Sequence, residues 1–325
     1  MTNHLTVQSS ANLLADLLDS NRCLLAVSSQ RNYKKSWSSF GKWLCVWLST
    51  ARSELRSALS VSDGSEPMAA FMAMLRAGPL VSNLIVAEFA NALSATYAPA
   101  TVANRLSAVR WAFRVAREAG VISWELHVRS PKIETYRDTR GPGLGAMKEV
   151  LLVAARQERV IAARDTALVS LLWILALRRA EVAALNVGDF DADARSLWVI
   201  GKGKAEKQIH TLPMPLVDAL RAYLETREDF VPTDPLLRNH DRAQKGTGRL
   251  LASGIYFRIG YLAKRAGITG PVSPHRVRHS SVTAALDATG GDVRSVRAFA
   301  RHAKAETTLI YDDRRLDVAS EVADT

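Results

Sequence analysis

A chain of 325 residues exceeds the size at which a single hydrophobic core usually stops growing, so two domains are expected. Its 48% apolar and 23% charged residues make it a folding sequence rather than a disordered one. Its two cysteines are too few for a disulfide framework or a cysteine-rich metal site, and no apolar run reaches the roughly 20 residues needed to span a bilayer.

The formal charge of +11 favours a polyanionic partner, because cationic side chains that bind phosphates release condensed counterions. Both parts of the chain share the excess. Residues 1–135 hold 14 basic and 9 acidic side chains, a net +5, which leaves +6 for the remainder. The N-terminal stretch lacks the basic-then-apolar order of a signal peptide, and the sparse cysteines suit a reducing compartment, so a soluble cytoplasmic protein is expected.

In chain order, Tyr33, Trp37, Phe40, Trp43, Leu44, Trp47 and Leu48 recur at steps of three and four between Ser29 and Leu48, which predicts an amphipathic helix. Its aromatic stripe is read as core, while Lys34 and Lys35 fall elsewhere around the axis. Further helices are predicted over 67–77, 81–96 and 99–119, the last opened by Pro99 and stopped by Gly120. That helix pairs an apolar face of Val102, Leu106, Val109 and Phe113 with Arg105, Arg110, Arg114 and Arg117, which form either a solvated face or a surface for a polyanion.

Periodicity fails between Ser130 and Gly145, where Pro131, Gly141, Pro142, Gly143 and Gly145 accumulate. The expected division is therefore a helical domain over 1–135, a linker over 136–145 and a second domain over 146–325. In the second domain, 147–158 and 165–185 read as helices. Two β-prone runs, 197–200 and 208–212, flank a Gly- and Lys-rich turn and predict a hairpin. The pattern is helical again from Ser253.

Three constellations carry chemistry. Arg178 and Glu181, three apart on the predicted 165–185 helix, share one side of it; such a pair is most often a structural salt bridge. In SPHRVRHSS, Ser273 caps a helix with Pro274 in its first turn, so His275 and Arg278 project together near an amino-terminal end that favours anions. A titratable His beside a cation that holds a phosphate is a proton carrier in position, although HxxR alone is common. His279 reads as a packing residue or as a support for the neighbouring anion-binding groups. In ARHAKAETTLIYDD, His302 precedes Tyr311 by nine residues, and Thr307 and Thr308 suit the opening of a short helix. A phenol with an ordinary pKa of about 10 is a weak nucleophile unless cations surround it.

In this order and spacing the chain resembles the tyrosine recombinase or phage integrase family, the family of lambda integrase, Cre and the Xer proteins. The family's boxes GLRxxE, HxLRH and LGH with a Tyr nine positions on stand here as ALRRAE, HRVRH and ARH with Tyr311. VIGKGKAEKQIHTLPM resembles the family's GKGxKxRxxPL stretch. The likeness covers roughly 146–315; the first third agrees only in its helical, basic character. Three positions depart: Ala176 stands where the family has Gly, Ala300 and Arg301 replace Leu and Gly, and Gln208 to His210 occupy a region where Arg is usual.

The resemblance implies a mainly α fold with a small antiparallel sheet, an N-terminal DNA-binding domain and a catalytic domain. It further implies that Arg178 and Arg278 hold the scissile phosphate and that Tyr311 attacks phosphorus to give a 3′-phosphotyrosine. The same resemblance implies that Lys202 protonates the departing 5′-oxygen, with Lys204 and Lys207 as rivals, that His275 moves the tyrosyl proton, that His302 bonds the phosphate and that Glu181 orients its neighbours. No cofactor is implied: the covalent intermediate conserves the bond energy without ATP, and arginines stand in for a metal. The implied partner is a double-stranded recombination site, bound by two protomers and assembled as a tetrameric synapse, with Lys34, Lys35, Arg105 and Arg110 as DNA contacts and a nucleoid-associated location. Leu316 and Val318 either seat a tail on a neighbouring subunit or belong to a frayed end. Two other readings are a type IB topoisomerase-like relaxing enzyme and a non-cutting DNA-binding regulator of the same fold.

Overall fold

The computed structural model describes residues 7–50, 59, 66–132, 141–201, 206–240, 248–302 and 305–309. Lys202, Lys204, Tyr311, Leu316 and Val318 lie outside them. The chain divides into two compact units, Met1–Arg137 and Asp138–Thr325.

Apolar side chains at helical spacing build the first unit from α1 (Val7–Cys23), α2 (Val27–Thr50), α3 (Pro67–Arg76), α4 (Gly78–Ser94) and α5 (Pro99–Glu118). Pro67 and Pro99 occupy first turns, where a missing N–H costs nothing. Gly120, at φ +74°, ends α5 in the left-handed conformation that glycine adopts without penalty. The α2 stripe is core: Phe40 and Leu44 are fully buried, and Phe40 meets Phe89 edge-on at 5.0 Å, as Trp37 meets Phe71 at 4.8 Å. Each such ring pair contributes about 0.5–1.5 kcal/mol beyond area burial. α1, which the sequence reading did not anticipate, adds Ala11, Leu14 and Leu18 to this core.

The second unit runs α6 (Leu144–Ala155), α7 (Arg159–Ile174), α8 (Arg179–Ala184), a 3-10 turn (Val187–Asp189), β1 (Phe190–Asp191), β2 (Ser196–Ile200), β3 (Lys207–Thr211), α9 (Met214–Leu224), α10 (Ala252–Arg265), α11 (Pro274–Ala288), α12 (Val293–Ala300) and α13 (Ala305–Leu309). Its three-stranded sheet is antiparallel in the order β1-β2-β3, and the β2–β3 register runs from Ser196 opposite Thr211 to Ile200 opposite Lys207. This is the expected hairpin. The core gathers Leu168, Leu171 and Leu172 of α7 with Leu197, Leu216, Leu220, Ile255 and Ile259. A smaller cluster of Ala176, Val282, Leu286, Val296 and Ala300 joins α11 and α12 to the turn after α7.

That turn corrects the predicted helix over 165–185. Helix α7 stops at Ile174, and Ala176 takes φ +47° before α8 begins at Arg179. The carbonyls of Leu175 and Ala176 accept from arginines far along the chain instead of from the next helical turn. Tertiary donors thus replace the helical ladder. Among the described residues no helix is long and apolar enough to cross a membrane.

Candidate active site

Arg178 is the N-cap of α8, not a mid-helix residue. Glu181 reaches back to accept from the Arg178 backbone N–H at 2.9 Å and from its Nη1 at 2.8 Å. This local bond fixes the base of the Arg178 side chain while a third of it stays exposed. On α11, Ser273 caps the helix by accepting from the Arg276 N–H at 3.3 Å, with Pro274 in the first turn. One turn further, Arg278 is almost wholly enclosed, and its two Nη groups donate to the carbonyls of Ala176 and Ala300. It thereby ties α11 to the turn after α7 and to the end of α12.

Arg178, His275 and Arg278 line one cavity of about 380 Å³, together with Arg179, Ala180, Tyr256, Ser273 and Pro274. Side chains separated by about a hundred residues of chain meet here. Three arginines line a volume large enough for a phosphodiester, and Glu181 pairs with Arg178 alone of the three by a described ion pair, so the wall keeps an excess of positive charge suited to an anion. Burial first, then the charges of Arg278, Arg178 and Arg179, hold His275 below the ordinary histidine range. It is therefore neutral near pH 7 and able to accept a proton.

His302 sits beside this group. Its ring is buried, its Nδ1 lies 2.9 Å from the Thr308 hydroxyl, and its pKa is pressed down to about 4 by burial and by the charges of Arg278, Arg178, Arg301 and His275. Thr307 and Thr308 lie within the short α13 rather than at its start, so Thr308 orients His302 instead of capping. Burial raises the proton affinity of Glu181, yet the backbone N–H of Arg178 and the charges of Arg301 and Arg178 outweigh it and hold the carboxyl below its usual range. Glu181 is an anion shared by two guanidiniums, a geometry suited to orientation rather than proton transfer. His279 is buried, as expected of a packing residue.

The rival lysines separate. Lys207 is engaged by Asp189, whereas Lys202 and Lys204 lie outside the described residues, as does Tyr311. In the first unit Lys34 and Lys35 are exposed on α2. Arg105 packs its guanidinium over the Tyr97 ring at 3.9 Å and donates to Ser39, while Arg110 donates to Val128 O and Ser130 Oγ. The sequence reading missed Arg179 and Tyr256 as cavity walls. The doubled arginine at 178–179 was a visible signal for the first; nothing in the pattern marked the second.

Residues 146–316 match the phage integrase family. A tyrosine recombinase of Synechocystis sp. is 39% identical over 227 residues, which cover 70% of this chain and 72% of the relative. A tyrosine recombinase of Synechococcus elongatus is 36% identical over 226 residues, covering 69% and 70%. Among solved structures, the XerH site-specific recombinase in a post-cleavage complex with its palindromic difH substrate has a TM-score of 0.62 at 17% identity, covering 90% of this chain and 97% of that one. A lambda integrase dimer bound to a COC′ core site has a TM-score of 0.60 at 14% identity, covering 93% and 95%.

Proposed function

We infer the activity from one premise: the chain belongs to the phage integrase family, whose curated relatives here are tyrosine recombinases. It is a site-specific DNA recombinase that cuts and rejoins strands through a tyrosine. The observation that carries this reading to individual residues is the meeting of Arg178, His275 and Arg278 on one cavity with His302 alongside.

The roles follow from the chemistry of that cavity. The guanidinium groups of Arg178 and Arg278 take the two non-bridging oxygens and offset charge as the pentavalent transition state forms; removing a donor of this kind costs about 10²–10³ in rate. Tyr311 attacks phosphorus in line, and the phosphodiester bond is exchanged for a 3′-phosphotyrosyl bond as the 5′-oxygen leaves. Neutral His275 takes the phenolic proton, and Lys202 returns one to the 5′-oxygen. Lys204 is its remaining rival, because Lys207 is held by Asp189. His302 bonds the phosphate, and Glu181 holds Arg178 in place. Rejoining is the same path reversed by an incoming 5′-hydroxyl, so neither ATP nor a metal ion enters the balance.

The partner is a double-stranded recombination site. The helical domain over 1–135, followed by the 136–145 linker, grips the core DNA with Lys34, Lys35, Arg105 and Arg110 among its contacts, while residues 146–325 carry the chemistry. Two protomers occupy each site and four form the synapse, in the cytoplasm on nucleoid DNA. Positive charge in both parts of the chain supports phosphate contacts from each.

The test is incubation with a nicked suicide site in EDTA. Wild type is expected to form an SDS-stable protein–DNA adduct and Tyr311→Phe none. An adduct of equal yield from Tyr311→Phe would remove the nucleophile assignment. Rapid relaxation of supercoiled plasmid lacking any site would point to a topoisomerase-like enzyme instead.

A further inference from the structure

Arg301 stands where the resemblance has glycine, and it adopts the conformation glycine would: φ is +56°, in the left-handed region that a β-carbon disfavours. A strained residue that persists there is held by its surroundings. The guanidinium shows what holds it. Nη1 donates to Leu175 O at 3.1 Å and Phe299 O at 3.3 Å; Nη2 donates to Ala176 O and to Glu181 Oε2, both at 3.2 Å. The side chain is only 9% exposed.

Two of these acceptors are shared with the phosphate-holding pair. Ala176 O also accepts from Arg278, and the Glu181 carboxylate also accepts from Arg178. We propose that Arg301 is a positioning residue for strand cleavage, which locks Arg178 and Arg278 into one arrangement through the acceptors it shares with each. The inference rests on the recombinase reading of the site.

A second feature separates this role from simple space filling. Arg301 adds a cation next to Glu181, so the carboxylate is divided between two guanidiniums and neutralises Arg178 less completely than it would alone. More positive charge on Arg178 is then left for a phosphate. His210 on β3 feels the same cation: burial first, then the Arg301 charge, press it toward the neutral form, so no histidinium takes over this duty. His302 is faced by Arg278, Arg178, Arg301 and His275 alike.

Single-turnover cleavage of the suicide site, DNA affinity and thermal unfolding are measured for wild type, Arg301→Gly and Arg301→Lys. Glycine relieves the strained φ, so Arg301→Gly is expected to fold. It should bind DNA within about threefold of wild type and cleave at least tenfold more slowly. The pH profile of its melting temperature should fall less steeply between pH 6.5 and 4 as His302 loses one repelling charge, and millimolar guanidinium should restore part of the cleavage rate. Arg301→Lys keeps the charge without spanning four acceptors and should fall between. Equal cleavage by wild type and Arg301→Gly overturns the proposal; so does a loss of rate with an unmoved pH profile and no rescue, which marks a packing role. Should Arg301→Gly not fold, wild-type cleavage by Arg301→Lys overturns it. A wild-type enzyme that forms no adduct at all instead sinks the recombinase reading beneath it.

Discussion

Arg278 is 2% exposed, and both of its Nη groups already donate to main-chain carbonyls. A guanidinium spreads five donors over three nitrogens, so it can span two separate carbonyls and still present a donor to the cavity; an ammonium has its three donors on one nitrogen and cannot bridge the same positions. Arg278→Lys is therefore expected to lower single-turnover cleavage about 10²–10³-fold while DNA affinity, spread over many phosphates, changes less than tenfold. A gel-shift titration beside the cleavage time course checks the split. His302 gives a pH prediction. Its folded pKa of about 4 lies below the unfolded value near 6.5, so between these values the unfolded chain binds more protons and stability rises with pH. Unbound protein should thus lose melting temperature as pH falls from 6.5 toward 4, and His302→Gln should flatten that slope. A wild-type melting temperature independent of pH across this window would contradict the assignment. At this scale much of the site was legible: each constellation put its polar groups at a spacing that a helix start or a short turn converts into one direction. The tether of Arg301 was not legible, because its four acceptors come from backbone and side chain more than 100 residues upstream as well as nearby.

Between elements, one ion cluster fastens α7 to α10. Asp165 is fully buried and accepts from Arg164 at 2.7 and 2.9 Å, from Arg258 Nε at 2.6 Å and from Gln157 at 2.7 Å. Removing the anion leaves enclosed cations uncompensated, so Asp165→Ala should destabilise the fold by about 3–5 kcal/mol, measured by urea unfolding. Gly141 is a second fastening point. A β-carbon there would lie 2.0 Å from Arg276 O and 2.2 Å from Ser280 Oγ, so the chain before α6 lies directly on α11. Gly141→Ala forces this contact apart, disturbing the support of the helix that bears His275 and Arg278, and cleavage should fall more steeply than DNA binding. The helix starts at 67, 99 and 274 were written in proline and capping residues. The break between α7 and α8 was not, because the run WILALRRAEV keeps a helical apolar pattern through it. Donation from Arg278 and Arg301 to the carbonyls of Leu175 and Ala176 ends the helix there, and local propensity says nothing of donors so distant.

Across the whole molecule, net charges of +5 and +6 in the two parts of the chain point to a steeply salt-dependent grip. If six to ten phosphates are contacted, affinity should drop about 10³–10⁵-fold between 50 and 200 mM salt. The double change Lys34→Ala and Lys35→Ala should reduce the log–log slope by about 1.8; an unchanged slope would remove these exposed lysines from the interface. Composition, helical periodicity and the ordered boxes around Arg178, His275, Arg278, His302 and Tyr311 were sufficient to determine the mainly α class, the small hairpin and the family, since each is a property of residue type and local spacing. Only the tertiary structure decided that Ala176 and Arg301 would both accept left-handed backbone, that Glu181 would be shared, and that Lys207 would be spent on Asp189. Those outcomes depend on which carbonyls and carboxylates come within about 3 Å of a guanidinium or ammonium after the chain has closed on itself, a distance that sequence separation does not encode.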